Sequence, residues 1–235
     1  MPALAQRDRQ PELMDQPGLD KQEHAYALRG LRRVNWISGS AAIFWPTIRR
    51  LAETEDRTIR VLDIATGGGD VALEIYRRAK KSKLPIEVAG CDISETSIAL
   101  SIERAEQFGA DIRYFQADAL GDSLPDEFDV VMNSLFMHHL DEDDAETLLR
   151  RMAAATRKLV LVNDLIRSPA GYLLAYFGTR LLTRSYIVHT DGPLSVKAAF
   201  TTDEILALAS DAGLKNVKLT RHWPYRFLLQ WERDF

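Results

Sequence analysis

The sequence predicts an α/β fold built on a mostly parallel sheet, and three observations carry that expectation. Between residues 60 and 164, short apolar β-rich runs alternate with stretches of helical period, the pattern of parallel strands covered on both faces. The first run breaks directly into three glycines, Gly67 to Gly69, ahead of a helical stretch. Near the C-terminus two strand-like runs lie too close together for a parallel crossover and must pair antiparallel.

Each element follows in order. Residues 1–20 are rich in Pro, Gln, Asp and Arg without an apolar period, which predicts an arm, loose or docked, with little of the chemistry. From Lys21 to Leu51, Ala25, Leu28, Leu31 and Val34 recur at helical spacing, as do Ile43, Phe44, Ile48 and Leu51 after a Ser-Gly-Ser break. Two or three helices are expected there, making residues 1–52 an arm and N-terminal helical cap and residues 53–235 the main domain. Strands are expected over Arg60–Ile64, Ile86–Asp92, Ile112–Gln116, Phe128–Asn133 and Lys158–Asp164, with helices starting near Asp70, Glu95 and Asp143. After Asp164 come an apolar aromatic segment (Tyr172–Tyr186), a helix (Thr202–Ala212) and strand-like runs around Val217–His222 and Phe227–Trp231.

Composition bounds the function. The 235 residues, 46% of them apolar, suffice for one sizeable core. A formal charge of -4 and a pI near 5.8 provide no broad cationic field, which disfavours nucleic acid. A single cysteine, Cys91, excludes an internal disulfide. Met1 to Gln10 carries charge and proline where a secretory signal needs an apolar core, so a cytoplasmic location is expected. No run reaches the length of a membrane span; peripheral contact with lipid stays open.

The stretch "VLDIATGGGDVA" (Val61–Ala72) holds the chemistry. A glycine-rich turn between strand and helix lets a ligand approach bare backbone, and Gly67, Gly69 and Ala72 also satisfy the dinucleotide pattern G-x-G-x-x-A. Asp63 speaks against a dinucleotide: a carboxylate there repels a pyrophosphate but orders the amine of a zwitterionic amino-acid ligand, directly or through water. S-adenosylmethionine has such an end. Asp92, with Ile93 beside it, ends the second strand where a carboxylate accepts from two ribose hydroxyls, a role NAD would use equally. Asp118 follows the third strand and is expected to accept from the adenine amine, with Ala117 and Ala119 leaving room for the ring. Asn133 and Ser134, ending the fourth strand, are expected near the methionine part.

With these residues in view, the chain resembles the class I S-adenosylmethionine-dependent methyltransferases over Val61 to Asp164. Their D-x-G-x-G-x-G loop stands here as "DIATGGG", with Ala65 in place of the first glycine, and "MNSLFMHHL" is similar to the quinone-biosynthesis type. The resemblance implies a Rossmann-like seven-stranded sheet with an antiparallel last strand, S-adenosylmethionine as cofactor, and an acceptor pocket built by an insert around residues 168–200. Base methylation of DNA usually goes with a proline-rich signature at "NSLF", absent here.

Methyl transfer from a sulfonium needs alignment and exclusion of water, and a hydroxyl acceptor must also lose a proton. His189, beside Tyr186 and Asp191 in the insert, is the preferred base, with His139 after the fourth strand as the alternative and His138 next to it; His24 and His222 have no such neighbours. No metal ligands are assigned. Tyr172, Leu173, Leu174, Tyr176, Phe177, Leu181, Leu182, Tyr186 and Ile187, with Trp36, Phe44 and Trp45 of the cap, offer apolar material for a pocket, and Arg33, Arg180 and Arg184 offer cationic charge. The expected activity is methyl transfer to a hydroxyl of a small lipophilic or aromatic metabolite such as a polyketide. C-methylation of a quinone-like ring is the alternative; a nicotinamide-dependent reductase and a non-catalytic cofactor-binding protein are more remote.

Overall fold

The computed structural model describes residues 4–15, 18, 20, 22–23, 26–27, 29–30 and 39–233. Ala25, Leu28, Leu31, Arg33, Val34, Trp36 and His24 lie outside them, so of the expected cap helices only the last is fully described. That helix, α1 (Ser40–Thr54), starts behind Gly39, whose φ of 68° is left-handed, as the Ser-Gly-Ser break requires. Ile43, Phe44 and Ile48 lie on its buried face.

Seven strands follow as β1 (Ile59–Ile64), β2 (Ile86–Asp92), β3 (Ile112–Gln116), β4 (Phe128–Ser134), β5 (Thr156–Leu165), β6 (Lys218–His222) and β7 (Arg226–Glu232). They form one sheet in the order β3-β2-β1-β4-β5-β7-β6. All pairs from β3 to β5 are parallel, and β7 is antiparallel to both β5 and β6. The strands match the sequence expectation to within two residues; β1, β2, β4, β5 and β7 are largely buried apolar runs, while β3 and β6 at the sheet edges are partly exposed. Helices α2 (Asp70–Ser82), α3 (Glu95–Gln107) and α4 (Glu142–Ala155) connect the parallel strands. Ser94 and Asp141 cap α3 and α4 by accepting from Ser97 and Asp144 N–H groups.

Alternation along the strands divides the core in two. Val61, Val130, Leu161 and Leu228 face α1 and α2, while Leu62, Val131, Val160, Val162, Phe227 and Leu229 face α4 and α7 (Thr202–Asp211). The insert between β5 and α7 forms two helices, α5 (Pro169–Leu182) and α6 (Tyr186–Ala198). None of the helices is long and apolar enough to cross a membrane, among the described residues.

The order places the carboxyl ends of β1, β2, β4 and β5 on one edge. Because β7 runs antiparallel, it brings its first residue, Arg226, to that same edge. This is where open α/β sheets bind ligands.

Candidate active site

A cavity of about 650 Å³ opens along this edge. Ala65, Thr66, Gly67 and Gly68 line one end. A Cβ built on Gly67 or Gly68 meets nothing within 4 Å, whereas one on Gly69 would come within 2.7 Å of Tyr114 Oη and 2.9 Å of Ser101 Oγ. Gly69 is thus required by packing, while Gly67, at φ +54°, presents bare backbone to open space. Ala65 is also left-handed, at φ +52°, so the residue that departs from the glycine pattern carries backbone strain.

Two of the three acids of the sequence analysis, Asp63 and Asp92, hold this loop. Asp63 is 2% exposed and accepts from Thr66 Oγ1 at 2.8 Å. Burial pushes its carboxyl up to about 7, helped by the like charge of Asp92 and opposed by the Thr66 hydrogen bond. It lies under the loop and off the cavity wall, so its part is to fix Thr66 rather than to touch an amine directly. Asp92 accepts from the N–H of Gly67 through one oxygen and from that of Ser94 through the other, both within 2.9 Å. Asp118 accepts from Leu120 N–H at 2.9 Å, and Ile93 is 64% exposed; Asp92, Ile93 and Asp118 do not line the cavity itself. Ala119 is buried in the core. Asn133 is fully buried and ties β4 to β1 by donating to the Ile64 carbonyl at 3.0 Å; Ser134, accepting from Asn163 Nδ2, is the member of that pair on the cavity wall. Bare backbone, the start of α2, the carboxylate ending β2 and the one following β3 fit an adenosyl amino-acid cofactor.

The other end is built from distant segments. Leu135, at φ +57°, turns the chain out of β4 into a short 3-10 helix, Met137–His139. His138 and His139 both line the cavity, with ring centroids 4.3 Å apart. His138 Nδ1 lies 2.7 Å from Asp164 Oδ1, and its backbone N–H donates to Oδ2. Asp164 is 1% exposed; burial pushes its carboxyl up, but His138 and the Leu165 N–H outweigh this and hold it below the usual carboxylate range. The ionised acid therefore fixes the proton on Nδ1 and leaves Nε2 as the basic nitrogen.

His189, the preferred base of the sequence analysis, lies off the cavity wall. Its Nε2 sits 2.8 Å from the Thr183 carbonyl, which only accepts, so that nitrogen carries the proton. Its expected neighbours are engaged elsewhere: Asp191 accepts from the N–H groups of Leu13 and Met14, and Tyr186 is exposed beside Glu23. The helical period of α6 turns His189 away from the site, which linear proximity to polar residues could not reveal.

The N-terminal arm, expected to be loose or docked, is docked here and supplies part of the wall. Glu12 and Met14 line the cavity, and Glu12 accepts from Ser195 Oγ at 2.5 Å. Its carboxylate lies 3.8 Å from His138 Nε2 and 4.0 Å from His139 Nε2. The three ligand-type atoms fall within 4.8 Å of one another, close enough to share a cation. Arg7 donates to the carbonyls of His138, Leu140 and Ala198 while stacking on Phe200, and Arg9 donates to that of His139. Of the expected pocket residues, Leu174 and Leu182 line the cavity, Phe44 is core, and Phe177 and Leu181 are exposed at 63% and 85%. Arg180 stacks on Tyr176 at the surface. The sequence analysis passed over Leu165 and the hairpin Trp223–Arg226, which close the far wall.

A methyltransferase-domain family model matches residues 61–158. A ubiquinone biosynthesis O-methyltransferase from a Ruegeria species is 29% identical over 161 residues, 68% of this chain and 61% of that protein. A demethylmenaquinone methyltransferase from Thermus thermophilus is 36% identical over 105 residues, 44% of this chain and 46% of that protein. The chain thus spans less than two thirds of the length of either relative. Among solved structures, an O-methyltransferase family 2 protein from Planctomyces limnophilus in complex with apigenin superposes with a TM-score of 0.63 at 16% identity, covering 92% of this chain and 63% of that one. Sheet order and glycine loop agree with that domain match: residues 61–158 are similar to a methyltransferase domain, and the chain shares the fold of the solved methyltransferase structures.

Proposed function

We propose that the protein transfers a methyl group to a hydroxyl of a small lipophilic or aromatic acceptor, with polyketides as one such class. One observation carries the reading: a single cavity joins the glycine loop to the His138–Asp164 pair, with apolar wall from α5 between them.

S-adenosylmethionine supplies an electrophilic methyl on a sulfonium. The backbone of Ala65 to Gly68 would hold it from below, with Asp92 and Asp118 at its ribose and adenine and Ser134 toward its methionine part. His138 Nε2 then takes the hydroxyl proton as the oxygen attacks, and Asp164 stabilises the imidazolium through Nδ1–H. His139, stacked beside it, positions that ring. Glu12, Met14 and the docked arm keep water from the reacting atoms. The names of the relatives, one an O-methyltransferase of ubiquinone biosynthesis and one acting on demethylmenaquinone, support a planar acceptor and keep C-methylation of a quinone-like ring as the second reading.

The test is product analysis. The protein is incubated with methyl-labelled cofactor and a panel of hydroxyaromatics and quinols, and the methyl position is read by mass spectrometry and NMR. A methoxy product supports the proposal; label on a ring carbon overturns it in favour of the second reading.

A further inference from the structure

Arg226 and Arg167 are both buried arginines, at 2% and 5% exposure, but they are partnered differently. Arg167 forms a two-pronged pair with the Glu204 carboxylate and also donates to the Ala199 and Leu4 carbonyls. Arg226 donates to the Ser40 hydroxyl on α1, and its Nε has no partner. The carboxylate within electrostatic reach, Asp164, is occupied by His138 and by two backbone N–H groups. Burial lowers the Arg226 guanidinium to about 10, Asp164 opposing the shift, so the group stays a cation at neutral pH. A buried charge without a paired, hydrogen-bonded anion is costly, and this one lines the cavity.

We infer that Arg226 is the anchor for a carboxylate on the bound acceptor. The guanidinium fork matches a carboxylate in two-point contact. Two sources of a carboxylate exist in this cavity, the acceptor and the methionine part of the cofactor. Topology favours the acceptor: β7 is the third strand along from β1, roughly 14 Å at about 4.8 Å per strand, and Arg226 neighbours Leu165 at the end of β5. The inference rests on the methyl-transfer reading only in placing an acceptor at that end.

The test uses salicylate and protocatechuate, each against its methyl ester, titrated by calorimetry into protein saturated with S-adenosylhomocysteine. The acids are expected to bind about tenfold more tightly than the esters. Arg226→Gln should remove that preference with S-adenosylhomocysteine affinity unchanged, and Arg226→Lys should keep part of it. Equal affinity of acid and ester for the wild type, or no binding of either, overturns the inference and needs no variant. If Arg226→Gln weakens S-adenosylhomocysteine but not methylthioadenosine, which lacks the amino acid, the arginine serves the cofactor and the inference also falls. Should Arg226→Gln not fold, the wild-type comparison with Arg226→Lys decides. The two readings fail separately: methylation of the esters without acid preference removes Arg226 alone, whereas acid preference without any hydroxyl methylation removes the hydroxyl reading alone.

Discussion

The two ends of the cavity are built on opposite plans. At the glycine end the surface comes from one loop, Ala65 to Val71, and from the neighbouring α3 with Phe108 after it, and two acids hold the loop: Asp63 on Thr66, Asp92 on Gly67 N–H. At the far end no stretch provides more than a few residues, and the wall is assembled from the arm, the 3-10 turn, α5, α6 and the β6–β7 hairpin. There the polar groups face one another across the wall, His138 Nε2 toward Glu12, while the buried Nε of Arg226 has no hydrogen-bond partner. On the proposed function, the cofactor is met mainly by loop backbone and the acceptor by side chains from several separate segments.

The sharpest way to break this comparison is at Gly67. Gly67→Val places a branched side chain at φ +54° and fills cofactor space, and should reduce S-adenosylhomocysteine affinity by a hundredfold or more, about 3 kcal/mol, with the fold intact by circular dichroism. Normal binding by a folded variant would remove the loop from the site. At the other end, His138→Ala should lower turnover by about a hundredfold with cofactor affinity unchanged, and the loss should shrink as pH nears the acceptor's own pKa, about 10 for a phenol-like group. His189→Ala should stay within about threefold of wild type; the reverse outcome would return the base to α6.

Asp92→Ala separates scaffold from ligand contact. Losing a charged acceptor of the Gly67 N–H and of the ribose should cost about 1 to 3 kcal/mol of cofactor binding by calorimetry. Unchanged affinity would place the ribose elsewhere.

Asp63 sharpens the picture through pH. Its folded-state carboxyl, pushed up to about 7, lies above the ordinary value of 3.8, so its contribution is fully present below the unfolded value and is lost as pH rises through the folded one. Stability should therefore decline between about pH 4 and 7, and Asp63→Asn, which still accepts from Thr66, should flatten that decline in denaturant titrations. An unaltered profile would mean that the carboxylate is solvated in its buried site. The smallest effect is expected at Ala65, where Ala65→Gly relieves a left-handed alanine and should raise stability by up to about 1 kcal/mol, net of glycine's extra entropy in the unfolded chain.

Period-2 burial and helix caps are local signals, and they made the sheet legible. Val61 and Leu62 point to opposite cores because of their position in β1 alone, and Asp141 caps α4 three residues before the N–H it binds. The glycine loop was legible for the same reason: its ligands, strand end and helix start are contiguous. Asp63 and Asn133 were picked out as residues of the site, but which way each side chain turns depends on neighbouring strands: Asp63 accepts from Thr66 and Asn133 donates to the Ile64 carbonyl, both off the cavity wall.

What the sequence by itself determined is therefore what short-range chemistry determines: strand and helix order, the antiparallel final pair, the backbone cradle and the carboxylates around it. The tertiary structure alone decided the rest. It joined Glu12 to Ser195 across 183 positions, set His138 on Asp164, turned His189 toward Thr183 and brought Arg226 round to the ligand edge by reversing β7. The physical reason is that a proton-transfer pair or an anion anchor is defined by direction and by what surrounds it, and both are set by packing between elements that the chain separates by tens of residues.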